Sequence, residues 1–319
     1  DPPGDLVATG PAGSKRRNRA HPSQGALPVP FRSASSPGDP ERGLVALHGG
    51  SRPRISVVVP ARNEAANLPF VLSALPPQVF EVVLVDGRST DDTIAVARRE
   101  RPDIRVVQQT RRGKGNALAC GFAAVRGDII VMLDADGSAD PREISRYVEA
   151  LLQGADFAKG TRFAGGGGSS DLTRLRSWGN KVLNLVVNVL YGTHYTDLCY
   201  GFNAFWTRCL PVLALDAGET HEDKKLWGDG FEVETIINTR IARGGLKVVE
   251  VPSFELERIH GVSNLNTWRD GFRVLRAALT ERFRPWQQAL QRDHHLVMDV
   301  IDLAEARTDA STDPAAATA

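Results

Sequence analysis

Two acidic residues, Asp134 and Asp136, stand one residue apart directly after the apolar run Ile129 to Leu133. An apolar run of this kind, without polar alternation, indicates a strand that is buried on both faces. Such strands carry their functional groups at the carboxyl end, where an open sheet binds ligands. Two carboxylates there suit Mg2+ or Mn2+, which also bind substrate phosphates. A helix cap or a turn is the structural alternative, because Asp and Gly favour both.

Further acidic residues follow two other predicted strands. Glu64 ends the loop Pro60-Ala61-Arg62-Asn63-Glu64, and Asp86 opens the next loop. Because parallel strands end at one edge of a sheet, we expect both carboxylates to converge with Asp134 on one crevice. Carboxylates accept hydrogen bonds from ribose hydroxyls and from the ring N–H of uracil or guanine. Taken singly, Glu64 could be a helix first-turn charge and Asp86 a turn residue, but their convergence favours binding.

The segment Arg111-Arg-Gly-Lys-Gly115 places Lys114 at the start of a predicted helix of small residues. Cations and free amides at a helix N-terminus favour phosphate. The segment is not a Walker A loop, because Gln108 stands where its first glycine is required and no Ser or Thr follows Lys114. A solvated basic turn is the alternative interpretation.

Alternating strands and helices must position these residues. The pattern predicts strands at Ile55 to Val59, Glu81 to Val85, Ile104 to Val107, Ile129 to Leu133 and Ala155 to Ala158, and helices at Glu64 to Leu75, Thr90 to Arg99, Lys114 to Val125 and Pro141 to Leu152. Ser89 or Thr90 is the expected cap of the second helix. This alternation predicts an α/β fold with a mainly parallel sheet and helices on both faces.

The second half of the chain has a different pattern. It predicts helices at Leu172 to Tyr191, Phe231 to Arg243 and Thr267 to Phe283, and strands at Leu246 to Val251 and Ser253 to Arg258. In the last helix, apolar residues from Phe272 to Phe283 recur at helical spacing among arginines. Two interpretations remain open for this stripe, an in-plane helix on anionic lipid or packing against the domain.

The amino-acid composition of the chain narrows the classes of function to consider. The 319 residues carry a net charge of +1 and are 42% hydrophobic, which supports a sizeable core and gives no general case for nucleic-acid binding. Cys120, Cys199 and Cys209 lack a paired spacing, as expected of free thiols in a reducing compartment. We predict a disordered Pro/Gly/Ser-rich arm at 1–53, a catalytic domain at 54–265, amphipathic helices at 266–304 and a disordered tail at 305–319.

Four segments together resemble family 2 inverting glycosyltransferases with the GT-A fold. They are Val57-Val-Val-Pro-Ala-Arg-Asn-Glu64, Val85-Asp-Gly-Arg-Ser-Thr-Asp-Asp-Thr93, Arg112-Gly-Lys-Gly-Asn116 and Leu133-Asp-Ala-Asp-Gly137. The resemblance implies a nucleotide-sugar donor and a divalent cation, Mg2+ or Mn2+, on Asp136 and Asp134. It implies that the donor is held by Pro60, Ala61, Arg62, Glu64, Asp86, Lys114 and Asp134.

Segments of the second half resemble the dolichol- or polyprenol-phosphate mannose synthase branch. They include Thr196-Asp-Leu-Cys-Tyr-Gly-Phe202 and Arg258-Ile-His-Gly-Val-Ser-Asn-Leu265. The branch implies a lipid-phosphate acceptor on the cytoplasmic membrane face, clamped by Arg162, Arg176, Arg258 and Ser263. Three positions depart from the usual branch pattern, Ser138, Asn203 and Asn264.

The expected reaction is the inverting transfer of a mannose or glucose from a GDP- or UDP-sugar to a polyprenyl or dolichyl phosphate. Asp134, Asp136 and Arg258 are the expected catalytic residues, because negative charge builds on the leaving diphosphate. A hydroxyl acceptor would also need a carboxylate base. Asp197, Glu232 and Glu234 are the candidates for that base, and capping is the alternative for one of the two glutamates.

Two other functions remain open at this stage. The first is a family 2 glycosyltransferase that acts on a soluble hydroxyl compound or a glycan. The second is a non-enzymatic sugar-nucleotide-binding protein with a degenerate site. For the leading function we expect a cytoplasmic protein, peripheral on the cytoplasmic membrane face, with no nucleic-acid partner.

Overall fold

The computed structural model describes residues 52–220, 225–261 and 267–285. Most of the predicted arm and the whole predicted tail lie outside these ranges. The central sheet has the order β3-β2-β1-β4-β7-β5-β8. Its strands are β1 (Ile55–Ala61), β2 (Val79–Asp86), β3 (Arg105–Gln108), β4 (Ile129–Met132), β5 (Phe157–Thr161), β7 (Asn203–Trp206) and β8 (Val248–Pro252). A separate ladder pairs β6 (Gly168–Ser169) with β9 (Phe254–Glu255).

The sheet is mainly parallel, as the strand and helix alternation predicted. The exception is β7, which runs antiparallel to both β4 and β5. Sequence analysis did not predict this strand, because four residues without flanking turn signals carry little pattern. Its direction matters for function: the residues that precede Asn203 arrive at the carboxyl edge of the parallel strands.

Helices flank the sheet and one of them packs on it closely. The helices are α1 (Leu68–Ser73), α2 (Thr93–Glu100), α3 (Lys114–Ala124), α4 (Ile144–Leu152), α5 (Arg174–Tyr191), α6 (Leu210–Leu213), α7 (Val233–Arg243) and α8 (Thr267–Phe283). Strand β4 is wholly buried, as the apolar run indicated. A Cβ on Gly121 of α3 would lie 2.3 Å from Val58 Cγ1 of β1, so the small residues of α3 permit its close approach.

The first two helices begin later than predicted. Helix α1 begins at Leu68 rather than Glu64, and α2 begins at Thr93 with Asp92 at the N-cap position. The predicted cap at Ser89 or Thr90 is therefore wrong. Both residues join the loops after β1 and β2 instead: Ser89 Oγ accepts the Asn63 N–H at 3.0 Å, and the Thr90 N–H donates to Asn63 Oδ1 at 2.8 Å.

A close contact fastens the loop before α3 to the loop before α7. The Gly115 N–H donates to the Asp229 carbonyl at 2.9 Å, and a Cβ on Gly115 would lie only 1.7 Å from the Gly228 carbonyl oxygen. Beside it, the buried Arg111 guanidinium donates twice to the Asp229 carboxylate, each time at 2.9 Å. Glycine is therefore required at 115 for steric reasons, and Asp229 is the partner of a buried cation.

We predict that Gly115→Ala lowers the melting temperature, because the added methyl group must push away the backbone of Gly228. Gly179→Ala is the matched control. Gly179 lies inside α5 with open space around the Cβ position, so alanine should raise stability by about 1 kcal/mol through helix propensity. Thermal denaturation followed by circular dichroism compares the two. Equal melting temperatures for both variants would contradict the steric argument.

Candidate active site

A cavity of about 320 Å³ lies at the carboxyl edge of the sheet. Asp134 and Asp136, directly beyond β4, line it together with Lys114 from the start of α3. The segment before β7 adds Tyr200 and Gly201, which confirms that the antiparallel strand delivers residues to this edge. The apolar part of the wall includes Leu172 before α5, Leu183 of α5, Leu256 after β9 and Val274 of α8.

Lys114 lies between two carboxylates. Its Nζ is 2.8 Å from Asp134 Oδ1 and 2.8 Å from Glu234 Oε1. Burial alone would lower the pKa of Lys114, but the charges of Asp134 and Glu234 raise it above its ordinary value. Lys114 is therefore a permanent cation whose charge is shared by two acidic residues.

Arg258 makes a second bridge between two acidic residues. Its Nη2 lies 2.8 Å from Asp136 Oδ2, and its Nη1 lies 3.3 Å from Glu64 Oε1. Burial raises the pKa of Glu64, against hydrogen bonding from Asn67 and the charge of Arg258. The other oxygen of Asp136 accepts the N–H and the hydroxyl of Ser138, at 3.0 and 2.7 Å.

The loops after β1 and β2 lie side by side next to this bridge. Ala61 pairs with Asp86 across the parallel strands, and the Gly87 N–H donates to the Ala61 carbonyl at 2.7 Å. Asp86 is buried, and its carboxylate accepts the Ser89 N–H and the Gln108 side-chain amide. Pro60 precedes this pairing, and Arg62 is exposed beyond it. The predicted nucleoside residues therefore share one edge with Glu64, although they do not line the cavity itself.

Arg162 and Asp197 form a buried ion pair in the cavity wall. Arg162 Nε and Nη2 donate to the two Asp197 oxygens at 2.7 and 2.9 Å, and Arg162 Nη1 donates to Glu255 at 2.9 Å. Burial would lower the pKa of Arg162, but the bonds to Asp197 and the charge of Glu255 raise it. Both residues were predicted to act in the site, as a phosphate clamp and a base. In this structure each has the other as its principal partner.

Three asparagines at helical spacing on α5 hold the segment that contains Asp197. Asn180 donates to Asp197 Oδ1 at 3.1 Å, Asn184 accepts the Leu198 N–H at 2.7 Å, and Asn188 accepts the Tyr195 N–H at 2.8 Å. Sequence analysis missed them, although asparagine repeated every four residues along one helix was the available signal. They position Asp197, and through it Arg162.

The two candidate glutamates at the start of α7 face different surroundings. Glu234 lines the cavity and contacts Lys114. Glu232 does not line it: its carboxylate accepts the Gly230 N–H at 3.2 Å and lies 3.8 Å from Arg273 Nε. The structure therefore brings Glu234, rather than Glu232, to the other acidic residues of the site.

Of the remaining predicted phosphate ligands, one lines the cavity and one lies outside the described residues. Arg176 lines the cavity from the first turn of α5 and pairs at 3.3 Å with the exposed Asp171. Ser263 and Asn264 lie outside the described residues.

Two partly exposed carboxylates, Asp134 and Asp136, are the candidate metal ligands. Among the described residues, no group of three or more His, Cys, Asp or Glu side chains is arranged to hold a metal ion. A cation held by one or two carboxylates together with substrate phosphates fits this donor set. A cation held by protein side chains alone does not fit it.

The charges that line the cavity balance. Five cationic residues face five acidic ones: Lys114, Arg162, Arg176, Arg258 and Arg273 against Asp134, Asp136, Asp171, Glu234 and Glu255. A diphosphate entering such a cavity brings uncompensated negative charge. The arrangement therefore suits an anion that arrives with its own divalent cation.

Comparison with known proteins agrees with this class of fold and site. The model of glycosyl transferase family 2 matches residues 56–210. Undecaprenyl-phosphate mannosyltransferase of Micrococcus luteus is 32% identical over 222 residues, which cover 67% of this chain and 88% of that protein. Polyprenol monophosphomannose synthase of Mycolicibacterium smegmatis is 33% identical over 245 residues, covering 73% and 89%. The chain belongs to glycosyl transferase family 2 and is a glycosyltransferase.

Solved structures confirm the GT-A fold. Glucosyl-3-phosphoglycerate synthase from Mycobacterium tuberculosis, in complex with Mn2+, UDP and glucosyl-3-phosphoglycerate, is 26% identical with a TM-score of 0.57. The match covers 78% of this chain and 85% of that one. The resemblance to family 2 that the sequence motifs indicated is thus confirmed.

We predict that Arg162→Met lowers the free energy of unfolding by about 3–5 kcal/mol, because it leaves the fully buried Asp197 carboxylate without its cation. Arg176→Met is the control: its ion pair with Asp171 is partly exposed and should cost at most about 1 kcal/mol. Urea denaturation measures both. A loss for Arg162→Met no larger than that for Arg176→Met would contradict the structural role of the buried pair.

Proposed function

We propose that the protein transfers a hexose from a nucleotide-sugar to a polyprenyl phosphate, with inversion at the sugar and with Mg2+ or Mn2+ bound. The related enzymes of M. luteus and M. smegmatis are named for an undecaprenyl-phosphate and a polyprenol-monophosphate activity. The UDP and Mn2+ in the glucosyl-3-phosphoglycerate synthase complex support the donor and the cation. Mannose and glucose both remain candidates for the sugar.

One observation favours the lipid acceptor. The wall that α5 contributes to the cavity continues outward into a groove of about 410 Å³, which shares Arg162 and Leu172 with the cavity and adds Arg174, Trp178 and Lys181. Cationic and apolar side chains thus line the cavity and the groove together, which matches a phosphate carried on a hydrocarbon chain.

The residues have distinct roles in the proposed reaction. Glu64 and Asp86, with Pro60, Ala61 and Arg62 beside them, receive the nucleoside. Lys114 and Arg258 lie next to the acidic pair and stabilise the negative charge of the departing diphosphate. A divalent cation bound at Asp134 and Asp136 would add further charge stabilisation.

The acceptor needs little activation if it is a phosphate. A phosphate monoester is already anionic near neutral pH, so the reaction needs no strong base. Arg176 and Arg258, with Arg162 in the wall and Ser263 as a predicted ligand, would orient it. Glu232 and Asp197 keep their predicted catalytic roles only for a hydroxyl acceptor, and Glu234 is better placed than either because it faces the cavity.

A second candidate keeps the enzyme and changes the acceptor to a soluble hydroxyl compound. The observation that favours it is the fold match to a synthase whose structure contains glucosyl-3-phosphoglycerate. In this case a carboxylate must take the hydroxyl proton, and Glu234 is the candidate.

We predict that radiolabelled GDP-mannose or UDP-glucose, incubated with polyprenyl phosphate in detergent and Mn2+, gives an organic-extractable labelled sugar. Asp136→Asn should reduce the rate by about 10²–10³-fold, because it removes a ligand of the divalent cation that would stabilise the negative charge of the leaving diphosphate. The matched control is Asp128→Asn, at the amino end of the same strand, where the carboxylate pairs with the exposed Arg54. It should leave the rate unchanged.

The products distinguish the two acceptors. If 3-phosphoglycerate is supplied and the label appears only in a water-soluble product, the acceptor is the soluble compound and not the lipid phosphate. If neither acceptor yields product with any hexose donor tested, the proposed activity is overturned.

We also propose that α5 rests on an anionic membrane surface. Its outer face carries exposed apolar residues at heptad spacing, Leu175, Trp178, Val182, Leu185 and Val189, of which Trp178 is 64% and Val189 76% exposed. Arg174, Arg176 and Lys181 accompany them, and the helix contains no acidic residue. An apolar stripe with cations alongside suits a lipid interface. Among the described helices, none combines the length and the apolar character needed to cross a bilayer.

Helix α8, for which sequence analysis left two interpretations open, serves partly in packing. Val274 and Ala278 lie in a cluster with Val187 of α5, while Phe272 and Phe283 are exposed. Tyr191 of α5 donates to the Ala278 carbonyl at 2.6 Å. The two helices therefore form one unit, and the cytoplasmic membrane face remains our prediction for its location.

We predict that the protein co-sediments with vesicles containing anionic lipid, and that Trp178→Ser combined with Leu185→Ser lowers the binding constant about tenfold or more, since both side chains lose apolar burial. Phe80→Ser is the control, because Phe80 is also exposed but lies at the amino end of β2. Unchanged vesicle binding by the double variant would contradict the role of α5. If the wild-type protein is a dimer in gel filtration and the double variant is a monomer, a second copy of the chain, and not lipid, covers the apolar stripe.

A further inference from the structure

Glu234 makes a contact that the proposed reaction does not require. Its carboxylate lies 2.8 Å from Lys114 Nζ, the same atom that contacts Asp134. Glu234 is 8% exposed, and a Cβ on Gly201 would lie 3.4 Å from its Oε1, so the carboxylate is confined in the cavity wall. A buried carboxylate in direct contact with the Lys114 ammonium group reduces the net positive charge that Lys114 presents to a ligand.

The fold places Glu234 there by rigid contacts. The buried pair of Arg111 and Asp229 fixes the loop that leads into α7, and the Gly115 N–H bonds to the Asp229 carbonyl at 2.9 Å. Glu234 lies in the first turn of α7, and Lys114 is the first residue of α3. The two side chains meet because their helix starts are fastened together.

Lys114 has Asp134 as its other partner, at 2.8 and 2.9 Å. If the donor or its cation binds Asp134, the ammonium group loses that partner. Without Glu234 the diphosphate would be its remaining counter-charge, and the ammonium group would repel the cation that replaces it at Asp134. With Glu234 present, Lys114 keeps a counter-charge after Asp134 has been released.

We propose that Glu234 is a positioning residue that holds Lys114 so that Asp134 can be released to a cation-bound nucleoside diphosphate. This inference rests on the proposed function, which supplies the nucleotide. Glu234 thereby favours the nucleotide that arrives with a divalent cation over the free nucleotide. The quantity that reports this role is the ratio of nucleotide affinity with Mn2+ to nucleotide affinity without it.

We predict that Glu234→Gln lowers this affinity ratio by roughly fivefold or more, because Lys114 then holds Asp134 alone and the cavity gains positive charge. Isothermal titration of UDP and of GDP, each with and without Mn2+, measures the ratio. In a Lys114→Met background the same substitution should leave the ratio nearly unchanged, because the residue through which Glu234 acts is absent.

Two further variants serve as controls for this interpretation. Glu232→Gln removes a carboxylate two residues away that does not line the cavity and does not contact Lys114, and it should change the ratio far less. Glu234→Asp keeps the charge and should retain more of the ratio than Glu234→Gln does. Circular dichroism melting confirms that each variant is folded.

The outcomes separate this inference from the proposed function. If the wild-type protein binds neither nucleotide, with or without Mn2+, the proposed donor is wrong and the inference falls with it. If it binds a nucleotide but Glu234→Gln changes the ratio equally in both backgrounds, or in neither, the positioning role alone is overturned. A change for Glu232→Gln as large as that for Glu234→Gln also overturns it.

Discussion

The site depends on the buried ion pair between Arg111 and Asp229. Arg111 precedes α3 and Asp229 precedes α7, so this pair joins the parallel half of the sheet to the part of the chain that completes the cavity. Both side chains are almost fully buried. Removal of either partner would leave an uncompensated charge, which typically costs about 3–5 kcal/mol. Close approach at Gly115 is possible because this pair fixes the neighbouring backbone.

The acidic and cationic side chains of the cavity are paired with one another. Each acidic residue after β4 has its own cation, Asp134 with Lys114 and Asp136 with Arg258. Charges of both signs are therefore held close together before any ligand is present. A diphosphate and a divalent cation can enter as a pair because each finds oppositely charged groups already in place, so that little reorganisation is needed.

Much of this edge of the sheet was predictable from the sequence. The placement of Glu64, Asp86 and Asp134 at one edge follows from one rule, that parallel strands end together, although only Asp134 of the three lines the cavity. The direction of β7 did not follow, because a four-residue strand has no period long enough to reveal its partners. Whether Glu232 or Glu234 faces the cavity depends on how α7 is fastened to α3, which is a tertiary contact.

The arginines show why residue type alone does not define a phosphate site. Arg162, Arg176 and Arg258 were grouped by resemblance, yet their partners differ. Arg162 satisfies a fully buried carboxylate that Asn180 of α5 also holds, so it cannot leave Asp197 without a large cost. Arg176 pairs with the exposed Asp171 and Arg258 with the partly exposed Asp136, so neither is the partner of a fully buried carboxylate. Under the proposed reaction, Arg176 and Arg258 are therefore better suited than Arg162 to meet a phosphate, and Arg162 belongs to the fixed wall of the cavity.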